Sequence, residues 1–220
     1  MDGTYEAFSS ANSRGYGWAR VTIAEDAITE VELKEFTDLA QEKDWETYGW
    51  PQAVQANQEL PAQFVANNSY EVDIVAEATS SSNKYMEAVK FALEKAKNEP
   101  EMQTTYFDGM FMGNSDADER GNWAVVWVTI ENDAITEVML EQTTDVPIEE
   151  GSEETEKKFK TPENYTNYPK YFEAQESLQT AFVEAGPGGV ADVDAVAEAT
   201  GSSDLWKQAV ADALAKAMIR

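Results

Sequence analysis

The stretch Val72-Asp73-Ile74-Val75-Ala76-Glu77-Ala78-Thr79-Ser80-Ser81 returns 121 positions later as Val193-Asp194-Ala195-Val196-Ala197-Glu198-Ala199-Thr200-Gly201-Ser202, each time ahead of an amphipathic segment. A core strand explains the apolar positions. It does not call for an Asp, a Glu and a Thr at identical offsets, so the repeat marks a duplicated site within a duplicated fold.

The rest of the chain repeats in the same order. Asp2-Gly3-Thr4-Tyr5 matches Asp108-Gly109-Met110-Phe111 at an offset of 106, and the eleven residues from Val21 to Val31 match Val128 to Val138 at an offset of 107. The offset then grows to 121, so the second copy holds an insertion between Val138 and Asp194. The acidic, Lys-containing run Pro147 to Pro162 has no periodicity and reads as that insertion, an exposed loop. Each copy is long enough to bury a core of its own. A boundary near Asn98-Glu99-Pro100-Glu101, where proline cannot continue a helix, gives tandem domains over 1–99 and 100–220.

Within each copy, β-branched residues in alternation predict strands at Gly3 to Phe8, Trp18 to Ile23 and Ala27 to Phe36. The last two are joined by a two-residue turn at Glu25-Asp26. Pro51 to Asn67 has helical spacing with Pro61 inside it, which predicts an interrupted helix or two short ones. Val72 to Thr79 reads as a strand, and Ser82 to Lys97 as an amphipathic helix whose apolar stripe holds Tyr85, Met86, Val89 and Leu93. Ser203 to Met218 repeats that stripe. The class is α+β, two tandem homologous domains, each a small antiparallel sheet packed with helices.

Composition narrows the chemistry. With 42 acidic residues against 16 Lys and Arg, the net charge is −26, which makes nucleic acid and anionic membranes poor partners. There is no Cys and no His, which removes disulfides, thiolate and Fe–S sites and His-based triads. No apolar run reaches the length needed to cross a bilayer. The surface acidity serves solubility or attracts a cationic partner.

A threonine followed by serines at a helix start places hydroxyls where unpaired backbone N–H groups and the helix dipole favour a phosphate. Plain N-capping accounts for the same residue types. The exact recurrence of Asp, Ala and Thr favours a ligand. Among the aromatic residues, Tyr48 and Trp50 in the first copy and Tyr168 and Tyr171 in the second are candidates to border a flat heterocycle. Tyr85 and Trp206 lie on the helix stripes and read as core.

These motifs in this order resemble the FMN-binding domains related to the flavin-carrying peripheral subunits of ion-pumping NADH and ferredoxin oxidoreductases. Such domains also occur in tandem in Gram-positive cell-surface lipoproteins of the pheromone-precursor type. The resemblance rests on Asp2-Gly3-Thr4-Tyr5, Gly15-Tyr16-Gly17, the Asp-Ala-Ile-Thr-Glu-Val turn, the Tyr-Pro-Lys-Tyr-Phe-Glu-Ala-Gln segment at 168–175 and Val-Asp-x-Val-x-x-Ala-Thr. It implies FMN joined through its phosphate to a threonine in a motif read Asp-x-x-Ser-Gly-Ala-Thr, up to two per chain. The acceptors would be Thr79 and Thr200. Asp73, Ala78, Ser80 and Ser81 would surround the first, and Asp194, Ala199, Gly201 and Ser202 the second.

The resemblance further implies a flavin transferase for maturation, a membrane electron donor, and an extracytoplasmic, cell-surface place held by an anchor outside this sequence. One departure occurs twice: Ala76-Glu77 and Ala197-Glu198 stand where the family has Ser-Gly. If that glycine takes positive φ, a Glu costs about 1 kcal/mol there. Three functions remain open on the residues: an electron-transfer flavoprotein, a flavin-free surface binding module that has lost the cofactor, and a flavin-dependent reductase with a small substrate.

Overall fold

The computed structural model describes residues 2–97, 103–149, 152–197 and 199–220. The boundary residues Asn98-Glu99-Pro100-Glu101 and the motif residue Glu198 lie outside the described residues. The chain divides into two compact units, Met1–Gly109 with Ala217–Arg220, and Met110–Lys216. Both are α+β, with an antiparallel sheet and two helices each.

The first unit runs β1 (Gly3–Phe8), β2 (Tyr16–Ala24), β3 (Ala27–Phe36), α1 (Pro51–Asn67) and α2 (Thr79–Ala96). Its sheet order is β1-β2-β3, with Val21 opposite Val31 and Tyr5 opposite Val21. The β2–β3 turn works because Glu25 and Asp26 both take positive φ, at 52° and 60°, the twist a two-residue hairpin requires. Asn132 and Asp133 repeat it in the second unit at 49° and 63°.

The second unit runs β4 (Gly109–Asn114), β5 (Ala124–Glu131), β6 (Ala134–Pro147), β7 (Thr155–Phe159), α3 (Tyr168–Gly189) and α4 (Thr200–Ala217), with a short 3-10 turn at Val190–Asp192. Its order is β4-β5-β6-β7. The run read as a loop, Pro147 to Pro162, therefore contains a fourth strand. β7 pairs with the extended end of β6, Thr143 opposite Phe159, and the Phe159 ring meets Trp127 edge-on at 5.9 Å. Alternation over only five residues, diluted by charge, hid it from periodicity.

Two further expectations are corrected. α1 is one continuous helix despite Pro61. Burial of Ala53, Ala56, Leu60 and Phe64 on its inner face holds the turn that the missing N–H weakens. Nor is Val72 to Thr79 a strand; it is an unpaired extended segment ending in a turn at Ala76-Glu77, and the same holds for Val193 to Val196. Among the described residues no strand pairs with it. Val75 N–H instead donates to Ser82 Oγ at 3.2 Å, and Val196 N–H to Ser203 Oγ at 3.1 Å.

The cores match position by position. Leu60 and Leu178, Phe64 and Phe182, and Tyr85 and Trp206 are all buried, the last pair as the helix stripes predict. In the first unit α2 covers β1 and β2 while α1 lies along β3. This arrangement brings the start of α2, the end of β3 and the loop before α1 to one end of the sheet.

Candidate functional site

At that end each unit holds a cavity. The first, about 620 Å³, is lined by Arg14, Glu35, Thr37, Asp38, Lys43, Tyr48, Trp50, Glu77, Ala78, Ser80 and Ser81 among others. The second, about 460 Å³, is lined by Arg120, Gln142, Thr144, Asp145, Lys160, Tyr165, Ala199, Thr200, Gly201 and Ser202 among others. Carried along the repeat, nine of the thirteen lining residues of the first cavity fall on lining residues of the second. Arg14 falls on Arg120, Lys43 on Lys160, Tyr48 on Tyr165, and Ser81 on Ser202.

The local geometry is duplicated too. Arg14 and Arg120 each sit in a tight turn before a glycine of positive φ, Gly15 at 92° and Gly121 at 73°. Their N–H groups donate to Asn12 Oδ1 at 2.8 Å and to Asp118 Oδ1 at 2.9 Å. Gly15 is obligatory on a second ground: a Cβ there would meet the Phe36 carbonyl oxygen at 1.9 Å.

Lys43 N–H donates to the Glu35 carbonyl at 2.8 Å and Lys160 N–H to the Gln142 carbonyl at 3.0 Å, so both lysines are clipped to matching positions on β3 and β6. Each ammonium then lies over an aromatic ring, Lys43 at 4.3 Å from the Tyr48 centroid and Lys160 at 4.1 Å from that of Tyr165. A cation fixed in this way is presented to the cavity with little freedom left to lose.

The polar floor differs between the two. In the first unit the Glu35 carboxylate, 1% exposed, accepts from Lys43 at 2.9 Å and Lys84 at 3.1 Å. Burial pushes the Lys84 ammonium below its ordinary value, against the pull of Glu35. Glu35 Oε2 is buried with no hydrogen-bond partner among the described residues. In the second unit Gln142 stands in its place, accepting from Lys160 and from the Ser202 hydroxyl at 2.8 Å. Leu205 occupies the position of Lys84. Burial lowers the Lys160 ammonium to about 8.

The threonines open the helices. Thr79 is the first residue of α2 and is exposed; the helix has no side-chain cap. The structure thus gives its hydroxyl no capping role, and Ser82 instead takes the N–H of Val75. Thr200 opens α4, exposed, and lines its cavity. Thr79 stands beside the lining residues Ala78 and Ser80 without lining the cavity itself. Asp73 and Asp194 are exposed and line neither cavity. Glu77 takes a φ of 62°, the conformation a glycine at that motif position would supply.

Of the aromatic candidates, Tyr48 and Trp50 line the first cavity. Tyr168 and Tyr171 do not line the second. Tyr171 is 4% exposed and packs on Trp206 at 5.2 Å, while Tyr168 stacks on Phe172. Tyr165 takes the cavity position instead. Sequence reasoning passed over Tyr165 and the four cations Arg14, Arg120, Lys43 and Lys160, although their recurrence along the repeat was available as a signal.

Residues 14–94 match the FMN-binding domain family. That segment holds the whole lining of the first cavity except Ser13. The match supports FMN binding, and the residues present suit such a ligand. Arg14, Lys43 and the first turn of α2 are complementary to a phosphate. Tyr48 and Trp50 offer faces to a fused ring, and Glu35 Oε2 offers an acceptor to a ring N–H. The cavities lie in the size range of cofactor sites. A crystal structure of the CPE2226 protein from Clostridium perfringens is similar at 22% identity, covering 45% of this chain and 93% of that one, with a TM-score of 0.37. No curated protein matches the chain.

No group of three or more acidic residues among the described residues is placed to hold a metal ion, and no described helix is long and apolar enough to cross a membrane.

Proposed function

We propose that this protein is an electron-transfer flavoprotein with two homologous domains, each carrying FMN joined through its phosphate to a threonine, Thr79 in the first and Thr200 in the second. The observation that carries the reading is the duplication of cation, aromatic and helix start beside an exposed threonine. A core duplicated for stability alone has no reason to keep Arg14, Lys43 and Tyr48 in register with Arg120, Lys160 and Tyr165.

The chain's own residues have defined parts. The ammonium and guanidinium groups balance the phosphate charge, and the orphan N–H groups of the first helical turn point toward it. The aromatic side chains bound the ring and exclude water from one face. FMN, when bound, supplies one- and two-electron chemistry. Placement outside the cytoplasm, a membrane donor and external acceptors complete the reading: a covalent tether keeps the cofactor from diffusing away, and the charge of −26 steers cationic partners.

The test is intact mass with a visible spectrum on protein co-expressed with a flavin transferase, comparing the parent with Thr79→Ala, Thr200→Ala and the double substitution. Two FMN-sized increments on the parent, one lost with each substitution, are expected. An unmodified parent under those conditions overturns the covalent reading in favour of a flavin-free surface module.

A further inference from the structure

Glu77 is a residue in the wrong conformation for its side chain. At φ 62° it occupies the left-handed region that glycine enters freely and a β-carbon resists. Such strain persists only where the surroundings hold it. Here the surroundings are identifiable. The Glu77 carbonyl accepts from Trp50 Nε1 at 3.1 Å, and its carboxylate accepts from Gln52 Nε2 at 2.9 Å. Both donors belong to the start of α1, where Trp50 is the capping residue and makes no side-chain cap of its own.

The first of these bonds joins two residues of the cavity wall. Trp50 and Glu77 both line the cavity, and Thr79 lies two residues beyond Glu77. Trp50 is 51% exposed, so the indole is held by its bond to the Glu77 carbonyl and, through the start of α1, by the Gln52–Glu77 side-chain bond two residues on. A glycine at 77 would keep the main-chain acceptor and lose the carboxylate.

The sequence of the second copy carries the same combination. With α1 and α3 matched through Leu60 and Leu178, Trp50-Pro51-Gln52 falls on Tyr168-Pro169-Lys170, and Glu77 on Glu198. A glutamate in the acceptor turn thus recurs with a donor-bearing residue two positions past an aromatic one at the helix start.

We propose that Glu77 is a positioning residue, a latch whose carboxylate fastens Gln52 and with it the start of α1, steadying the main-chain bond to the Trp50 indole and so the aromatic wall beside Thr79. The inference deepens the flavin reading and rests on it for the identity of what the wall encloses; the latch itself is measurable without flavin.

The test is solvent exchange of the Trp50 indole N–H, followed by NMR on the full chain and assigned with Trp50→Phe. Exchange is expected to rise at least tenfold in Glu77→Gly, which loses the carboxylate and frees the start of α1 to draw the indole off its carbonyl, and in Gln52→Ala, which breaks the Gln52–carboxylate bond from the other side. It is expected to stay within twofold of the parent in Glu77→Gln, whose amide oxygen still accepts from Gln52. On flavinylated protein, iodide quenching of the flavin should rise in Glu77→Gly and not in Glu77→Gln. Equal exchange in parent, Glu77→Gly and Gln52→Ala overturns the latch. A parent that takes up no flavin yet shows the expected exchange pattern overturns the flavin reading and leaves the latch standing.

Discussion

The Lys160 ammonium lies 2.6 Å from the side-chain oxygen of Gln142, a neutral partner where the matching lysine of the first domain, Lys43, meets the Glu35 carboxylate at 2.9 Å. The exchange is compensated within each domain. Glu35 serves two buried ammonium groups, Lys43 and Lys84, whereas Gln142 serves one, because Leu205 stands where Lys84 does.

This compensation gives a stability prediction. Glu35→Gln leaves Lys84, 4% exposed, without its counter-charge. Breaking such a buried pair costs about 3 to 5 kcal/mol. The double substitution Glu35→Gln with Lys84→Leu rebuilds the arrangement of the second domain and is expected to recover most of that loss. Urea unfolding of the parent, both single variants and the double variant closes the cycle. Additive losses would mean that Glu35 and Lys84 do not act as a pair.

Lys160 should make the second domain's stability pH-dependent. Its ammonium is lowered to about 8 by burial, so between about pH 8 and its ordinary value near 10.5 the folded chain holds fewer protons there than the unfolded one. Stability from this group therefore rises with pH across that window. Relative to the parent, Lys160→Met should be the more stable protein at pH 7, with the difference shrinking toward pH 10. Gln142→Glu should return the ammonium toward its ordinary value, read directly by NMR of labelled lysine.

Glu141 titrates in the opposite sense. Burial raises its carboxyl to about 7, opposed by the Tyr171 hydroxyl and the Gln175 amide. Between about pH 4.5 and 7 the folded state holds the extra proton, so stability falls as pH rises through that range. Glu141→Gln should leave the melting temperature unchanged near pH 4.5 and raise it at pH 8. Equal melting curves at pH 8 would refute the burial of a charged carboxylate.

The hairpins were legible because β-branched residues alternate and because Glu25-Asp26 and Asn132-Asp133 can each adopt positive φ. The acceptor turns were legible only as repetition. Val72 to Thr79 carries strand-like side chains, yet it pairs with no strand among the described residues, and pairing is not written in one segment's composition. Lys43, Lys160, Arg14 and Arg120 escaped notice for a related reason. Charged residues in loops read as solvated surface, and only the folded chain shows that Lys43 is clipped to Glu35 and roofed by Tyr48. Tyr171 drew attention for being aromatic, and the structure spends it on Trp206.

The second domain also packs more tightly at one point than the first. Gly113 in β4 lies so close to α4 that a Cβ would sit 2.1 Å from the Ala209 carbonyl oxygen and 2.5 Å from the Ala213 nitrogen. Both neighbours are helix backbone, so no side chain can swing aside. Gly113→Ala must push α4 off the sheet, which costs on the order of 3 kcal/mol, the upper part of the usual overpacking range. The matching residue in β1 is Ala7, fully buried, where the same methyl group is already accommodated. Because Thr200 opens α4, the displacement should reach the site as well as the core. Gly113→Ala is expected to lower the unfolding midpoint and to reduce flavin loading at Thr200 while leaving loading at Thr79 unchanged, read from intact mass in a Thr79→Ala and a Thr200→Ala background. Equal loading at both threonines would show that α4 accepts the methyl group without moving its first turn.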